Sequence, residues 1–218
     1  MDKERIILIG GGGHCKVVID AVRLSGEYEI EGIIDPGLEP GSDVMGVPVL
    51  GGDEILAEVY NKGVKNAFIA VGSVGDCTIR KAIHKKIKGV GFNVPVIRHP
   101  ETVVANDVEL GEGSFVAASV TINTGTKIGE NVIINTSSSI DHDCQIGDFA
   151  HISPGTILSG EVRIGDSSHI GAKSVVNQVI SIGEECIIGS GSVVTRDIPS
   201  GSKAFGSPCK IRGRVNEG

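Results

Sequence analysis

The sequence predicts two architectures in series: βαβ units on a small parallel sheet, then a solenoid of short parallel strands with a six-residue period. Three observations lead there. Over the first hundred residues, apolar strand-like runs alternate with helical patterns, the signature of parallel strands joined by crossover helices. From Val104 to Val194 every sixth residue is Val, Ile or Leu, sixteen in unbroken succession. The composition, 32 glycines in 218 residues and 3% aromatics with no Trp, suits an aliphatic core with many tight turns.

In chain order, RIILIG is the first strand, KVVIDAVRLSG a helix and EIEGIID the second strand. DEILAEVYNKG and NAFIAVG repeat the helix–strand pair, and CTIRKAIHKKIKG is the last helix before the period changes. This unit is about half of a dinucleotide-binding domain. In the six-residue frame, the position four after each aliphatic residue is small or compact apolar (Ser114, Thr126, Ser138, Cys144, Ala150 and so on), which fits an inward corner beneath a larger inward side chain. This pattern resembles the hexapeptide repeat. That resemblance implies three hexads per triangular coil, hence about five coils at the ~4.8 Å strand spacing, and a left-handed turn, against the usual right-handed crossover.

The formal net charge of −7 argues against general binding of nucleic acid, whose phosphates need a basic surface. The five cysteines are odd in number, scattered and free of CxxC spacing, so neither a disulfide framework nor a zinc finger is indicated, and a reducing cytoplasm is expected. The apolar run Ile6–Ile9 is too short for a signal peptide. No stretch approaches the roughly 18 apolar residues of a membrane span.

The stretch IDHDCQ, Ile140–Gln145, carries a chemical cluster inside the repeat. Ile140 and Cys144 obey the repeat, whereas His142 and Asp143 occupy outward positions near a corner. One coil later the same corner position is Gly160. On the residues alone, a surface histidine salt-linked to aspartates is the competing account. His151 and His169 lie eighteen apart and should stack on one face, with His169 expected as a surface histidine. His84 and His99 are expected to be solvent-facing or structural. The opening strand runs into Gly11, Gly12, Gly13 and His14, which would put bare N–H groups at a helix N-terminus, a site for phosphate. It is not a complete GxGxxG, because Cys15 stands where the third glycine belongs. Asp35 follows the second strand, where an acid commonly holds a ribose. Arg196, Lys203, Lys210, Arg212 and Arg214 form a basic cluster in an acidic chain and would suit the phosphates of a ligand, unless they are a solvated tail.

GGGGHCKVV, VPVIRHP, the repeat with IDHDCQIGDFAHISPG, and FGSPCK together resemble the sugar O- and N-acyltransferases of the NeuD, PglD and PerB type over essentially the whole chain. The resemblance implies a Rossmann-like nucleotide-sugar domain over 1–99, a left-handed β-helix acyltransferase domain over 100–198 and a C-terminal cap over 199–218. It implies a cytoplasmic homotrimer with active sites between subunits, using acetyl-CoA as co-substrate and no metal. It assigns the catalytic base to His142, its tuning acid to Asp143 and an oxyanion contact to Gly160; Asp141 is expected to be a solvated neighbour. His151 would meet the acetyl end of acetyl-CoA, Ala172 and Ser190 would offer backbone contacts, and Lys210 would serve the cofactor's phosphates. Gly12, Gly13 and His14 would lie near the sugar and diphosphate, and Asp35 near the nucleoside. Cys15, in place of the family's small residue, is expected to alter the sugar pocket, and GSPCK stands where GVPAK is usual.

The reaction so implied is acetyl transfer to the amino group of a nucleotide-linked sugar. A sugar hydroxyl, as in sialic acid O-acetylation, is the alternative acceptor. A zinc enzyme of the γ-carbonic anhydrase kind, using His142, His151 and His169, and a silent binding scaffold are the other classes.

Overall fold

The computed structural model describes residues 3–215. The outermost ends of the first and last predicted segments, 1–2 and 216–218, lie outside the described residues. The chain divides into two compact units, one holding the chain up to Ser73 together with Thr78–Pro100, the other holding Val74–Cys77 and Glu101 onward.

The first unit is an α/β sheet of strands β1 (Glu4–Ile9), β2 (Tyr28–Ile34), β3 (Asp43–Val44), β4 (Val47–Gly51) and β5 (Asn66–Ile69) in the order β3-β4-β2-β1-β5. All neighbours are parallel except the β3–β4 hairpin. That hairpin is absent from the sequence expectation. Its turn has Met45 and Gly46 at φ 53° and 73°, the left-handed pair that a two-residue hairpin requires. Strand β1 lies between β2 and β5, and Ile6–Ile9 are at most 2% exposed, so it reads as a continuous apolar run rather than an alternating one. Helix α1 (Gly13–Ser25) buries Cys15, Val18, Ile19 and Val22 at helical spacing and ends on Gly26, whose left-handed backbone returns its N–H to Val22 O at 3.1 Å. Helices α2 (Leu56–Asn61) and α3 (Thr78–Val90) complete the unit.

The second unit is a left-handed parallel β-helix. Two-residue strands pair in parallel with strands eighteen residues away, for example Ser139↔Ile157, Gln145↔Arg163 and His151↔His169, and build three sheets. From Val116 to Val194 every inward aliphatic residue is at most 4% exposed, while Val104 and Leu110 on the first coil are half-buried. The inward polar residues are satisfied by the backbone: Thr126 Oγ1 donates to Asp141 O at 2.9 Å and accepts from Cys144 N at 3.2 Å, and Ser168 repeats this with Gly183 O and Cys186 N. Hydroxyls can occupy such a core because each both donates and accepts. Every sixth residue from Gly113 to Gly191 has a left-handed backbone, although most are not glycine; Asp143 (φ 60°) and the β-branched Val179 (φ 64°) are among them. The stack of coils holds these residues in a conformation they would not choose alone. At the end, Ser202–Phe205 pairs with Ile187–Ile188 and then antiparallel with Lys210–Arg214, so the predicted cap contains a hairpin.

Candidate active site

His142 sits at the edge between the sheet of Ser139–Ile140 and that of Gln145–Ile146. Its main chain is tied on both sides: its N–H donates to Asp141 Oδ1 at 2.8 Å, and its carbonyl accepts from Glu161 N, one coil on, at 2.9 Å. Its Nδ1 lies 2.8 Å from Asp143 Oδ2. The left-handed backbone of Asp143 is what turns a sequence neighbour's carboxylate back onto the ring. A carboxylate only accepts, so Nδ1 carries the proton and Nε2 presents its lone pair. The hydrogen bond to Asp143 holds the imidazole above its ordinary pKa; partial burial pulls it down, and the charges of Asp141, Asp143 and Glu161 add to the rise.

Gly160 lies over that ring. A Cβ there would come within 2.6 Å of His142 Nε2 and 2.7 Å of Cε1. The glycine is therefore required for the ring to stand where it does. Among the described residues its N–H donates to no other group.

Asp141 is open to solvent, as expected, but it is not idle. Its Oδ1 also accepts from Asn123 Nδ2 of the preceding coil at 2.9 Å, and these two hydrogen bonds, Asn123's first, hold its carboxyl below the usual range. Asn123 and Asp141 thus brace the turn that bears His142. The signal was present in the eighteen-residue spacing but needed the coil stack to give it meaning.

His151 and His169 stack in register on the third sheet, with ring centroids 4.9 Å apart at 81°. Each is 8% exposed, so His169 is not a surface residue; burial lowers its pKa. Asn135 Nδ2 lies 3.3 Å from His151 Nε2, and Ser153 Oγ 3.4 Å from His169 Nε2. Ala172 and Ser190 follow one another at the edge beyond this sheet, where Ala172 O accepts from Gly191 N at 2.8 Å. Lys210 is exposed on the terminal hairpin; nearby, Arg212 lies over the Phe205 ring at 5.4 Å and Arg214 donates to Ser200 O at 2.7 Å. His99 is buried and His84 half-buried.

In the α/β unit, the four glycines separate into two kinds. Gly10 has φ 98°, a backbone that favours glycine, and a Cβ on Gly11 would come to 2.4 Å from Leu38 Cδ1, the end of a side chain that would have to move. Gly12 and Gly13 have no atom within 4 Å of an added Cβ and no left-handed backbone. Gly12 is the N-cap of α1, a position that glycine suits, and the space over both residues is open. Asp35 holds two main-chain donors, Gly11 N on Oδ2 at 2.7 Å and Gly37 N on Oδ1 at 2.8 Å, so it ties the glycine loop to the turn after β2 while each oxygen keeps a further acceptor site. His14 is pushed down to about 4, by burial first and then by Arg80. Arg80 is 2% exposed and donates to Ser73 Oγ at 3.2 Å; the sequence reading passed over this buried cation. Cys15 is fully buried on the inner face of α1, and burial, then the Asp35 charge, raise its thiol to about 12.

The chain brings His142, Asp143 and Gly160 together but keeps them apart from His151. His142 stands on one edge of the triangular coil, and His151 belongs to the sheet opposite that edge. The three histidines do not converge within one chain.

Two family models match the chain: the PglD N-terminal domain over residues 5–87, and the bacterial transferase hexapeptide (six repeats) over 125–160 and 161–196. Among solved structures, a histidine-to-asparagine variant of perosamine N-acetyltransferase from Caulobacter crescentus, in complex with CoA and GDP-perosamine, is 39% identical, with 95% of this chain and 96% of that one covered and a TM-score of 0.90. The acetyltransferase domain of PglB from Neisseria gonorrhoeae FA1090, in complex with acetyl coenzyme A, is 35% identical over 97% of this chain and 100% of that one, TM-score 0.89. WeeI from Acinetobacter baumannii AYE is 28% identical over 96% and 100%, TM-score 0.84. A comparison with curated proteins returned no match.

Proposed function

The chain belongs to the hexapeptide-repeat sugar acetyltransferases with a PglD-type N-terminal domain, and from that premise we propose that it transfers acetyl from acetyl-CoA to the amino group of a nucleotide-linked sugar. The observation that carries the mechanism is the Asp143–His142–Gly160 arrangement. The amine attacks the thioester carbonyl and gives its proton to His142 Nε2, whose lone pair is exposed because Nδ1 keeps its proton and donates it in a hydrogen bond to Asp143. The Gly160 N–H stabilises the oxyanion as it forms. The C–S bond then breaks, and the proton on His142 passes to the departing thiolate to release free CoA.

Residues 1–99 form the nucleotide-sugar domain in this account, with the backbone of Gly12 and Gly13 receiving the diphosphate, His14 nearby as a neutral hydrogen-bonding ring, and Asp35 offering its remaining acceptor sites to the nucleoside. Residues 100–198 perform the transfer, and 199–218 cap the helix. His151, Ala172, Ser190 and Lys210 hold acetyl-CoA. Because His142 and His151 lie on an edge and the opposite face, a complete site needs two copies, which supports a homotrimer with sites between subunits. The five cysteines are all unpaired, which supports a reducing cytoplasm. Among the described residues no helix is long and apolar enough to cross a membrane.

Co-assembly of His142→Ala with His151→Ala tests both the site and the assembly. Each variant alone should lose at least about 10²-fold in turnover. Mixed trimers should regain about a quarter of wild-type activity, because random assembly pairs an intact His142 with an intact His151 at one interface in four. No recovery, with trimers intact by light scattering, would reject the shared site. A panel of nucleotide amino sugars and sialic acids, followed by free-thiol release, identifies the acceptor; turnover with hydroxyl acceptors alone would reject N-acetylation.

A further inference from the structure

Several inward hydroxyls of the β-helix share one arrangement: each donates to the main-chain carbonyl fifteen residues on, as Thr126 does to Asp141 O at 2.9 Å, Ser138 to Ser153 O at 3.0 Å and Ser168 to Gly183 O at 2.7 Å. Opposite Gly160 the inward residue is a thiol, Cys144, whose Sγ donates to Ser159 O at 3.2 Å. That carbonyl belongs to the Ser159–Gly160 peptide, whose N–H is the oxyanion donor proposed above. In a trans peptide the C=O and the N–H point in opposite directions. A Ser159 carbonyl turned inward onto the thiol therefore turns the Gly160 N–H outward, to the side on which the His142 ring stands. Among the described residues no other donor reaches that carbonyl. Cys144 is fully buried, and burial, opposed by the facing N–H of Val162, pushes its thiol up to about 11, so at neutral pH it is S–H and donates. A hydrogen bond at the carbonyl end of a peptide also polarises its N–H, by an amount on the order of 10–30%. Cys144 N in turn donates to Thr126 Oγ1 at 3.2 Å, and Thr126 holds the carbonyl of the Asp141–His142 peptide. One linked inward pair thus holds the peptide before the base and the peptide before the donor.

We propose that Cys144 is a positioning residue for the transfer: its thiol, acting through the Ser159 carbonyl, aims and polarises the Gly160 N–H toward the oxyanion of the acetyl thioester. The catalytic half rests on the oxyanion role of Gly160 proposed above. The buried cysteine then serves the reaction without meeting substrate or cofactor.

Two substitutions in the full chain separate this role from packing. Cys144→Val fills the space without a donor, and Val120, Val132 and Val162, all fully buried, show that the repeat accepts valine at that position. Cys144→Ser keeps a donor of the kind found at Ser138 and Ser168 but puts a more polar group in the core. If Cys144 only packs, activity follows stability and valine is the better replacement. If it positions the donor, the order reverses: Cys144→Ser should keep kcat within about threefold of wild type, while Cys144→Val should lose about tenfold, less than the ~10² of a whole oxyanion donor, with both KM values unchanged and a melting temperature no lower than that of the serine variant. A serine variant that folds but is as impaired as the valine one overturns the hydrogen-bond role. Glycine-¹⁵N and serine-¹³C labelling isolates the amides of Ser–Gly pairs, and Ser159→Ala identifies that of Gly160 by its disappearance. Its proton should shift upfield in Cys144→Val as polarisation is lost, a measurement that serves even if the serine variant does not fold. An unmoved resonance overturns the hold of Cys144 on the peptide. A shifted resonance with undiminished kcat shows instead that the oxyanion reading of Gly160 fails, and the catalytic half of the proposal falls with it.

Discussion

Gly160→Ala isolates the spacing between base and oxyanion donor. The new Cβ would sit 2.6 Å from His142 Nε2, roughly 1 Å inside the ~3.5 Å at which nonbonded atoms rest. The backbone at 160 is not left-handed, so alanine itself is tolerated and the imidazole must move. His142 is half exposed, with 50% of its side chain open, so the ring can swing outward at little cost to folding. The swing costs it the Asp143 hydrogen bond and the alignment of Nε2. A displacement of about 1 Å at a reacting group is worth about 10²-fold in rate. Initial rates of CoA release should therefore show kcat down about 10²-fold, with the melting temperature and the oligomeric state nearly unchanged. Loss of the Asp143 contact should also move the acid limb of the pH–rate profile downward. A kcat within about threefold of wild type, well under one tenfold step of about 1.4 kcal/mol, would refute the packing argument and with it the oxyanion role of Gly160.

Other consequences are checked separately. Because Asp143 raises the pKa of His142, the base is lost to protonation as pH falls through that raised value; Asp143→Asn should shift the acid limb of kcat/KM to lower pH and reduce the plateau. Asn123→Ala removes the side-chain brace on Asp141 and should lower kcat severalfold with little change in either KM, whereas a uniform rise in KM would show that Asn123 serves binding instead. His14, held neutral down to about 4, makes the unfolded chain bind the extra proton between pH ~6.5 and ~4, so stability rises with pH across that window. Up to about 3 kcal/mol should be lost on acidification, and urea titrations of His14→Asn should show a shallower pH dependence there.

Much of the fold is visible in the sequence because it rests on short-range periodicity. An aliphatic residue at every sixth position from Val104 to Val194 determines which side chains point inward, and the strand–helix alternation before it determines a parallel sheet. The Met45–Gly46 hairpin escaped because methionine is not a turn residue by composition; its left-handed backbone is imposed by the strands it joins. The outward placement of His142 and Asp143 is likewise legible from the repeat, and the eighteen-residue step already pairs His142 with Gly160.

What the sequence by itself determined is thus the identity of the inward and outward positions and the candidate base among them. Tertiary structure decided everything that depends on one coil lying against the next: that Asp141 is braced by Asn123, that His169 and Cys15 are buried, and that Asn135 faces His151. It also decided the ring geometry at His142, since the left-handed backbone of Asp143 is sustained by coil stacking rather than by its own preference. Side-chain identity is local, but hydrogen-bond direction and burial are properties of neighbours that only the folded stack supplies.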